Sequence, residues 1–280
     1  MDFKKFSTLI MFEQTLFALP FAYLGVLFAN GRHFSTWVLV TIAFVAARTA
    51  GMSFNRVIDA EIDGKNPRTK DRLVPSGKVP KSEVWLIGML ACLTLVGASF
   101  FLNNLCFYLS FPAIILLFTY SYFKRFSSSS HFYLGLVEAV APIGGYIAVT
   151  GEISLVSMLL GCAILLWIAG LDIVYAVQDV DFDRKESIYS FPSMFGQKAS
   201  LIVSEACYVL SICAMVTAGV ITRKSMPYWL ALACVALIFI YQQRVVKRGD
   251  ISLALKKFFY ANLYVSPFLL IGTLIDVFLI

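Results

Sequence analysis

Long apolar stretches, separated by short polar connections, run through most of the 280-residue chain. A helix that crosses the hydrocarbon core of a bilayer needs about 20 predominantly apolar residues. The pattern therefore predicts nine spans, at about 7–29, 36–58, 82–102, 105–123, 132–150, 154–178, 199–220, 226–243 and 258–280. Barrel strands would instead show short alternating segments. Because backbone polar groups in lipid must be satisfied internally, we predict an all-α, polytopic membrane protein.

The composition agrees with this prediction. The chain is 59% hydrophobic and 14% charged, whereas a soluble domain has about a quarter charged residues. No small-residue cleavage site of the signal-peptide kind follows the first apolar run, so we predict that it is a retained span. Neither a soluble domain nor a long tail is evident. Residues 1–280 are therefore predicted to form a single transmembrane domain.

The positions of the basic residues predict the orientation. When the N-terminus is placed in the cytoplasm, most Lys and Arg side chains fall on the cytoplasmic side, and Arg32, Arg223 and Lys224 fall outside. Basic connections typically remain on the cytoplasmic side. We therefore predict an integral protein of the bacterial inner membrane with a cytoplasmic N-terminus. The net charge of +6 follows from this topology and does not indicate nucleic-acid binding. No obligate protein partner is evident from the sequence.

Two polar connections, at about 59–81 and 179–198, carry acidic residues followed by basic ones. In the first, Asn55, Asp59 and Asp63 are four residues apart, so on a continued helix their direction drifts by only about 40° per step. Glu61 lies on another face of the helix. Arg48, seven residues before Asn55, lies on nearly the same face as Asn55, Asp59 and Asp63.

The second connection has a similar stripe, formed by Asp172, Asp179 and Asp183. Asp181 lies about opposite Asp179 on a helix. By the predicted topology, both acidic stripes reach the cytoplasmic surface. The alternative explanation of these charges is that each connection is an ordinary solvated loop. Oxygen ligands of this kind suit Mg²⁺, which is typically bound by one or two carboxylates together with substrate phosphates. The nearby basic residues, Arg68, Lys70, Arg72 and Lys124, could bind the phosphate charge.

Histidine and cysteine contribute little to the predicted chemistry. His33 and His131 stand near span ends without a cluster of further ligands, so a His-based metal site is not predicted. The six cysteines lie mostly within apolar spans and form no CxxC pair, which favours packing as their role.

These motifs carry a family resemblance. The chain resembles the UbiA superfamily of intramembrane prenyltransferases, whose motifs are NDxxDxxxD and DxxxD, in the segments "NRVIDAEID" (55–63) and "DVDFD" (179–183) and in Tyr120-x-x-x-Lys124. The resemblance extends over essentially the whole chain. Arg56 replaces the family's usual Asp and need not be a metal ligand. The chain is also similar to 4-hydroxybenzoate polyprenyltransferase-like members, including a subgroup associated with menaquinone made by the futalosine route.

The resemblance implies an Mg²⁺-dependent enzyme that transfers a polyprenyl group from polyprenyl diphosphate to a small aromatic acceptor. The acceptor, 4-hydroxybenzoate or a dihydroxynaphthoate, stays open, as does the choice between ubiquinone and menaquinone biosynthesis. The implied catalytic residues are Asp59, Asp63, Asp179 and Asp183, which are also the implied metal ligands together with Asn55. The implied substrate-binding residues are Asn55, Arg48, Arg68, Arg72, Tyr120, Lys124 and Asp172.

Some roles have alternatives. Arg48 could bind an acceptor carboxylate or form a structural ion pair with Asp172, and Glu138 could be functional or simply face a polar cavity. A membrane transporter is the main alternative function, although transporters more often show broken helices at the bilayer midplane than charge gathered at one surface. The motif of CDP-alcohol phosphotransferases is absent, because Asp63-Gly64 is followed by no matching Ala-Arg pair.

Overall fold

The computed structural model describes residues 2–248 and 251–279, without the side chains of residues 248, 251–254 and 259. Every regular element in these residues is helical, which confirms the predicted all-α class. A short 3₁₀ turn spans Val177–Asp179. The α-helices are α1 (Phe3–Ile10), α2 (Phe12–Phe28), α3 (Phe34–Ile58), α4 (Ala60–Lys65), α5 (Lys81–Leu102), α6 (Asn104–Phe123), α7 (Ser130–Thr150), α8 (Leu155–Ala176), α9 (Val180–Lys185), α10 (Phe191–Ile221), α11 (Met226–Arg248), α12 (Ile251–Asn262) and α13 (Val265–Phe278).

Eight helical segments of the described residues are long and apolar enough to cross a membrane, and the bent pair α1 and α2 forms a possible ninth. These segments correspond to the nine predicted spans. The last span, predicted as continuous over 258–280, is interrupted at Leu263 and Tyr264, between α12 and α13. Pro267 explains part of this break, since it has no N–H to donate to the Leu263 carbonyl.

The first span is also not the continuous helix that we predicted over 7–29. Its two helices are bent by 55° at Met11, which has a left-handed φ of 52°. Leu9 and Ile10 of α1 are buried in a cluster that includes Ala60, Val74, Val79 and Val84. Packing of α1 against this later part of the chain accounts for its departure from the axis of α2.

The helices form two compact units. The first contains the chain up to Leu19 and His33–Tyr122, and the second contains Pro20–Arg32 and the chain from Phe123 onward. The single domain over 1–280 stays a prediction.

In the first unit, α3 packs along α5, and this contact fixes the end of α3 that carries Asn55. Ala50 and Phe54 of α3 are buried beside Ala91 and Cys92 of α5, and Ile114 and Phe118 of α6 pack against them. The small side chains at positions 50 and 91 let the helices approach, as is typical of helix packing in membranes.

In the second unit, α7 packs against α8, and α8 packs against α10. The C-terminal half of α2 packs closely against α7, because a Cβ atom added to Gly25 would lie 2.0 Å from the Pro142 carbonyl oxygen. A Cβ at Gly145 would lie 2.0 Å from the Ala22 carbonyl oxygen. These approaches require glycine, and they hold the C-terminal half of α7 against α2.

Candidate active site

The first acidic segment keeps a helical path across the boundary between α3 and α4. Asp59, which separates the two helices, donates its N–H to the Asn55 carbonyl at 2.9 Å, and the Asp63 N–H donates to the Asp59 carbonyl at 2.8 Å. The three side chains therefore keep the spacing of successive helical turns. The side chains of Asp59 and Asp63 are buried, whereas Glu61 is exposed. The helical period thus places Asp59 and Asp63 on the buried face and Glu61 on the exposed face, as the sequence predicts.

Hydrogen bonds and an ion pair fix this segment within the first unit. Asn55 Nδ2 donates to Asp59 Oδ2 at 2.6 Å and to Ser121 Oγ, on α6, at 3.1 Å. Asp63 Oδ2 accepts from an Arg72 guanidinium nitrogen at 2.7 Å. Each acidic side chain therefore has one oxygen oriented by a neighbouring side chain.

The connection after α4 folds back so that Arg72 reaches Asp63. The Asn66 side chain accepts from the Arg68 N–H at 2.9 Å, and Thr69 Oγ1 donates to the Asp63 carbonyl at 3.0 Å. In this fold Arg72 is half-buried, whereas Arg68 and Lys70 are exposed. Two of the predicted residues, Asp63 and Arg72, are thus brought into direct contact, and Arg68 is exposed.

Two further predicted residues of the first unit lie deeper in the apolar helices. Arg48 is half-buried on α3, seven residues before Asn55. The Tyr120 hydroxyl, on α6, donates to the Gly51 carbonyl at 3.3 Å. Arg56 is buried, and its Nε donates to the Leu9 carbonyl at 3.4 Å. Arg56 therefore links α3 to α1.

The second acidic segment differs from the uninterrupted helical stripe that we predicted. The 3₁₀ turn at Val177–Asp179 lies between α8, which carries Asp172, and α9, which carries Asp183. A 3₁₀ turn has about 3.0 residues per turn, so it rotates the later residues relative to Asp172. Asp183 is buried, Asp179 is half-buried and Asp181 is exposed. The opposite exposure of Asp181 and Asp183 is retained because α9 is helical.

Backbone hydrogen bonds hold the residues that follow this segment. The Ile188 N–H donates to the Asp183 carbonyl at 2.8 Å, and the Tyr189 N–H donates to the Lys124 carbonyl at 2.8 Å. Arg184 Nε donates to the Ser193 carbonyl at 3.1 Å. Lys124 is half-buried and lies within electrostatic range of the Asp183 carboxylate. A basic and an acidic residue from different parts of the sequence are thus neighbours in the second unit.

Asp172 has a partner that the sequence did not indicate. Its Oδ2 lies 2.7 Å from His131 Nδ1, and the Phe191 N–H donates to His131 Nε2 at 3.0 Å. Phe191 is the first residue of α10. His131 therefore connects α7, α8 and the start of α10.

The comparisons with known proteins identify the family. A sequence model described as the UbiA prenyltransferase family matches residues 18–263. The chain belongs to this family. It is 30% identical to a 4-hydroxybenzoate octaprenyltransferase of Vibrio campbellii, over 96% of this chain and 92% of the relative.

Solved structures share the UbiA fold. The apo structure of a UbiA homolog from Aeropyrum pernix K1 has a TM-score of 0.88 and 30% identity, and it covers 94% of this chain and 98% of that chain. A UbiA homolog from Archaeoglobus fulgidus, bound to GPP and Mg²⁺, has a TM-score of 0.75 at 16% identity, over 96% of this chain and 99% of that chain. The protein is therefore a helical, membrane-embedded prenyltransferase of the UbiA family.

The donor atoms of this UbiA chain fit a hard divalent cation. Asn55, Asp59 and Asp63 in the first unit, and Asp179 and Asp183 in the second, offer amide and carboxylate oxygens, the ligand type that Mg²⁺ prefers. Within each unit, the described residues include no group of three or more His, Cys, Asp or Glu side chains that could hold a metal ion. Each unit thus offers two of these carboxylates. Mg²⁺ is typically bound by one or two protein carboxylates, and substrate phosphates supply further oxygens.

Sequence reasoning missed three contacts of these segments. Ser121 holds Asn55, Thr69 holds the backbone of Asp63, and His131 holds Asp172. Ser121 follows Tyr120 of the Tyr-x-x-x-Lys element, which places it beside a motif and could have drawn attention to it. No sequence signal marks His131, since 41 residues separate it from Asp172.

Proposed function

We propose that the protein transfers a polyprenyl group from polyprenyl diphosphate to 4-hydroxybenzoate or a related dihydroxynaphthoate in quinone biosynthesis. Its family supports the reaction, and the name of the Vibrio campbellii relative supports the class of acceptor. The observation that carries the proposal is the burial of the Asp59, Asp63 and Asp183 side chains at the ends of apolar helices. Charge at such a position is costly unless it is paired or coordinates a ligand. Arg72 pairs with Asp63, and a diphosphate with its cation would give these carboxylates further ligand contacts.

Asn55, Asp59, Asp63, Asp179 and Asp183 are the residues that we propose as ligands of Mg²⁺. When bound, Mg²⁺ neutralises charge on the diphosphate and stabilises it as a leaving group. The Archaeoglobus fulgidus homolog of the same fold binds GPP together with Mg²⁺, which supports this choice. The protein's own part is to fix the ligand oxygens in advance, as Asn55 and Arg72 do for Asp59 and Asp63.

Basic side chains are proposed to bind the phosphate oxygens. Arg68 is exposed and Lys124 is half-buried, so both can reach a charged solute. Arg72 uses one guanidinium nitrogen for Asp63, and a guanidinium has five N–H donors, so the same side chain can also bind phosphate. These contacts strengthen as charge develops on the departing oxygen. Tyr120 is a further proposed substrate-binding residue.

The aromatic acceptor is proposed to bind deeper in the apolar helices. Arg48 lies seven residues, about two helical turns, before Asn55 and could bind an acceptor carboxylate. Asp172 is itself proposed as an acceptor-side residue. This division assigns the diphosphate to residues near the ends of the helices and the ring to residues within them.

The proposal includes a location. We place the protein in the bacterial inner membrane with a cytoplasmic N-terminus, because the Lys and Arg residues are distributed in that way. Its proposed partners are the prenyl diphosphate, the aromatic acceptor and the bilayer, and neither nucleic acid nor an obligate protein partner belongs to the proposal.

An assay of the purified full-length protein in lipid nanodiscs tests the proposal. Polyprenyl diphosphate is supplied with 4-hydroxybenzoate or with a dihydroxynaphthoate, with Mg²⁺ or with excess chelator, and diphosphate and product mass are measured. We expect Mg²⁺-dependent release of diphosphate and a prenylated product from one acceptor. Failure to release diphosphate under all these conditions would contradict the proposed reaction, and release without aromatic product would contradict the acceptor class.

A further inference from the structure

The hydrogen bonds of His131 determine which of its ring nitrogens carries a proton. Nε2 accepts the Phe191 N–H at 3.0 Å, so this nitrogen is unprotonated. A neutral imidazole has one donor and one acceptor nitrogen, and Nδ1 therefore carries the proton. Nδ1 donates this proton to Asp172 Oδ2 at 2.7 Å. The ring is thus neutral and fully hydrogen-bonded, and it presents an ordered donor to an anionic carboxylate.

Asp172 differs from His131 in its access to a ligand. The His131 side chain is 5% exposed, whereas the Asp172 side chain is 28% exposed. Among the described residues, Asp172 makes its hydrogen bond through Oδ2 to His131, and none is made by Oδ1. One oxygen of the carboxylate is therefore fixed by the protein, and the other is available to a hydrogen-bond donor from outside.

A purely structural role explains only part of this arrangement. Joining α7 to α8 requires an acceptor for the His131 N–H, and a neutral amide or carbonyl oxygen would serve. A carboxylate within an apolar span is costly, and such groups typically mark a substrate or proton pathway. The charge and the accessible oxygen of Asp172 are thus the two features that a structural link does not require.

We propose that His131 is a positioning residue that acts through Asp172, orienting the carboxylate so that Oδ1 accepts a hydrogen bond from the ring hydroxyl of the aromatic acceptor. This inference rests on the proposed function and names the group of the acceptor that Asp172 recognises. A site built to bind a hydroxyl discriminates against an analogue without it, because the buried polar group is then left unpaired. Recognition of the hydroxyl should therefore depend on His131 as well as on Asp172.

Four variants separate orientation from packing. His131→Gln retains a donor for Asp172 and an acceptor for the Phe191 N–H, whereas His131→Leu has neither. Asp172→Asn keeps an oxygen for His131 but removes the negative charge. The matched control is His33→Leu, because His33 is exposed and its side chain makes no capping hydrogen bond to α3.

Binding without turnover is the decisive readout. Calorimetry on the full-length variants in nanodiscs compares 4-hydroxybenzoate with 4-methoxybenzoate, and a dihydroxynaphthoate with its methyl ether. A charge-assisted hydrogen bond is worth about 1.5–3 kcal/mol, so we expect the wild type to prefer the free hydroxyl about 10- to 150-fold in at least one pair. His131→Gln and His33→Leu should keep most of this preference. His131→Leu and Asp172→Asn should lose it, and combining them should cause no further loss.

Kinetics of the same variants provide the second readout. His131→Leu should raise the KM for the acceptor and leave the KM for polyprenyl diphosphate within about threefold. If the role of His131 were merely structural, the substitution would raise the KM for both substrates. The inference is overturned if His131→Leu keeps the hydroxyl preference, or if the wild type shows none in either pair. If His131→Leu does not fold, the hydroxyl preference of Asp172→Asn is measured instead, and its retention would overturn the inference. Failure of the proposed function appears separately, as absence of Mg²⁺-dependent diphosphate release by the wild type.

Discussion

The Lys224–Asp276 ion pair offers a quantitative test of how the second unit is stabilised. Lys224 Nζ and Asp276 Oδ2 are 3.1 Å apart, and the side chains are 5% and 7% exposed. Asp276 also accepts from the N–H of Ser225 at 2.6 Å and from its hydroxyl. Lys224 Nζ lies 4.8 Å from the ring centroid of Phe28, within range of a cation–π contact. The pair thus links α13 to the connection between α10 and α11 and to α2.

Asp276→Asn should lower the free energy of unfolding by about 3–5 kcal/mol, because it leaves the Lys224 charge buried without its counter-charge. With an unfolding entropy of about 2.1 cal/mol/K per residue, 1 kcal/mol shifts the Tm of a chain of 280 residues by about 1.7 °C, so the expected loss is about 5–9 °C. The matched control is the exposed pair of Lys247 and Glu205, 2.6 Å apart with side chains 44% and 47% exposed. Glu205→Gln should cost about 0–1 kcal/mol, or at most about 2 °C.

Thermal unfolding of five proteins in one detergent measures this difference. Besides the wild type, Asp276→Asn and Glu205→Gln, they include Lys224→Met and the double variant Lys224→Met/Asp276→Asn, in which neither charge remains to be buried alone. Its Tm should lie above the value that addition of the two single losses would give, since the partners interact directly. Equal losses for Asp276→Asn and Glu205→Gln, or additive losses in the double variant, would refute the assignment of this stability to a buried ion pair.

Two further predictions follow from the proposed site. Lys124→Ala should raise the KM for polyprenyl diphosphate about 10- to 150-fold with little change for the acceptor. Arg48→Ala should raise the KM for the acceptor and leave the KM for polyprenyl diphosphate nearly unchanged. A selective loss of prenyl-diphosphate affinity in Arg48→Ala would contradict this placement. Cysteines introduced at the exposed Lys70 and Lys185, in a background without native cysteines, should both label from the cytoplasmic side; labelling from opposite sides would contradict the shared orientation.

The number and class of the membrane helices were predictable from sequence, because the length and apolarity of each segment alone determine whether it can span a membrane as a helix. The shape of the first span was not predictable in this way. Its bend at Met11 accompanies the burial of Leu9 and Ile10 beside residues about 50–75 positions later, and hydropathy contains no information on such contacts. The break before α13 had a local signal in Pro267, which a closer reading of the helix pattern could have used.

The candidate site shows the same division between local and distant effects. The helical period alone separated the buried Asp63 and Asp183 from the exposed Glu61 and Asp181. The contact of His131 with Asp172 was missed, since the two residues are on different helices and the sequence offered no cluster around His131. Contacts between distant residues depend on helix packing, which a spacing argument cannot supply.

The central claim, that both acidic segments carry prenyl transfer, is tested most directly by four matched variants. Initial rates of product formation at saturating Mg²⁺ are measured by mass for Asp63→Asn and Asp183→Asn, and for the exposed controls Glu61→Gln and Asp181→Asn. Loss of a charged ligand at a buried position should reduce turnover by at least about 100-fold, as is typical when a group that stabilises transition-state charge is removed. The two control variants should stay within about threefold of the wild type. Equal losses in the buried and the exposed variants, or wild-type turnover in Asp63→Asn or Asp183→Asn, would contradict the account.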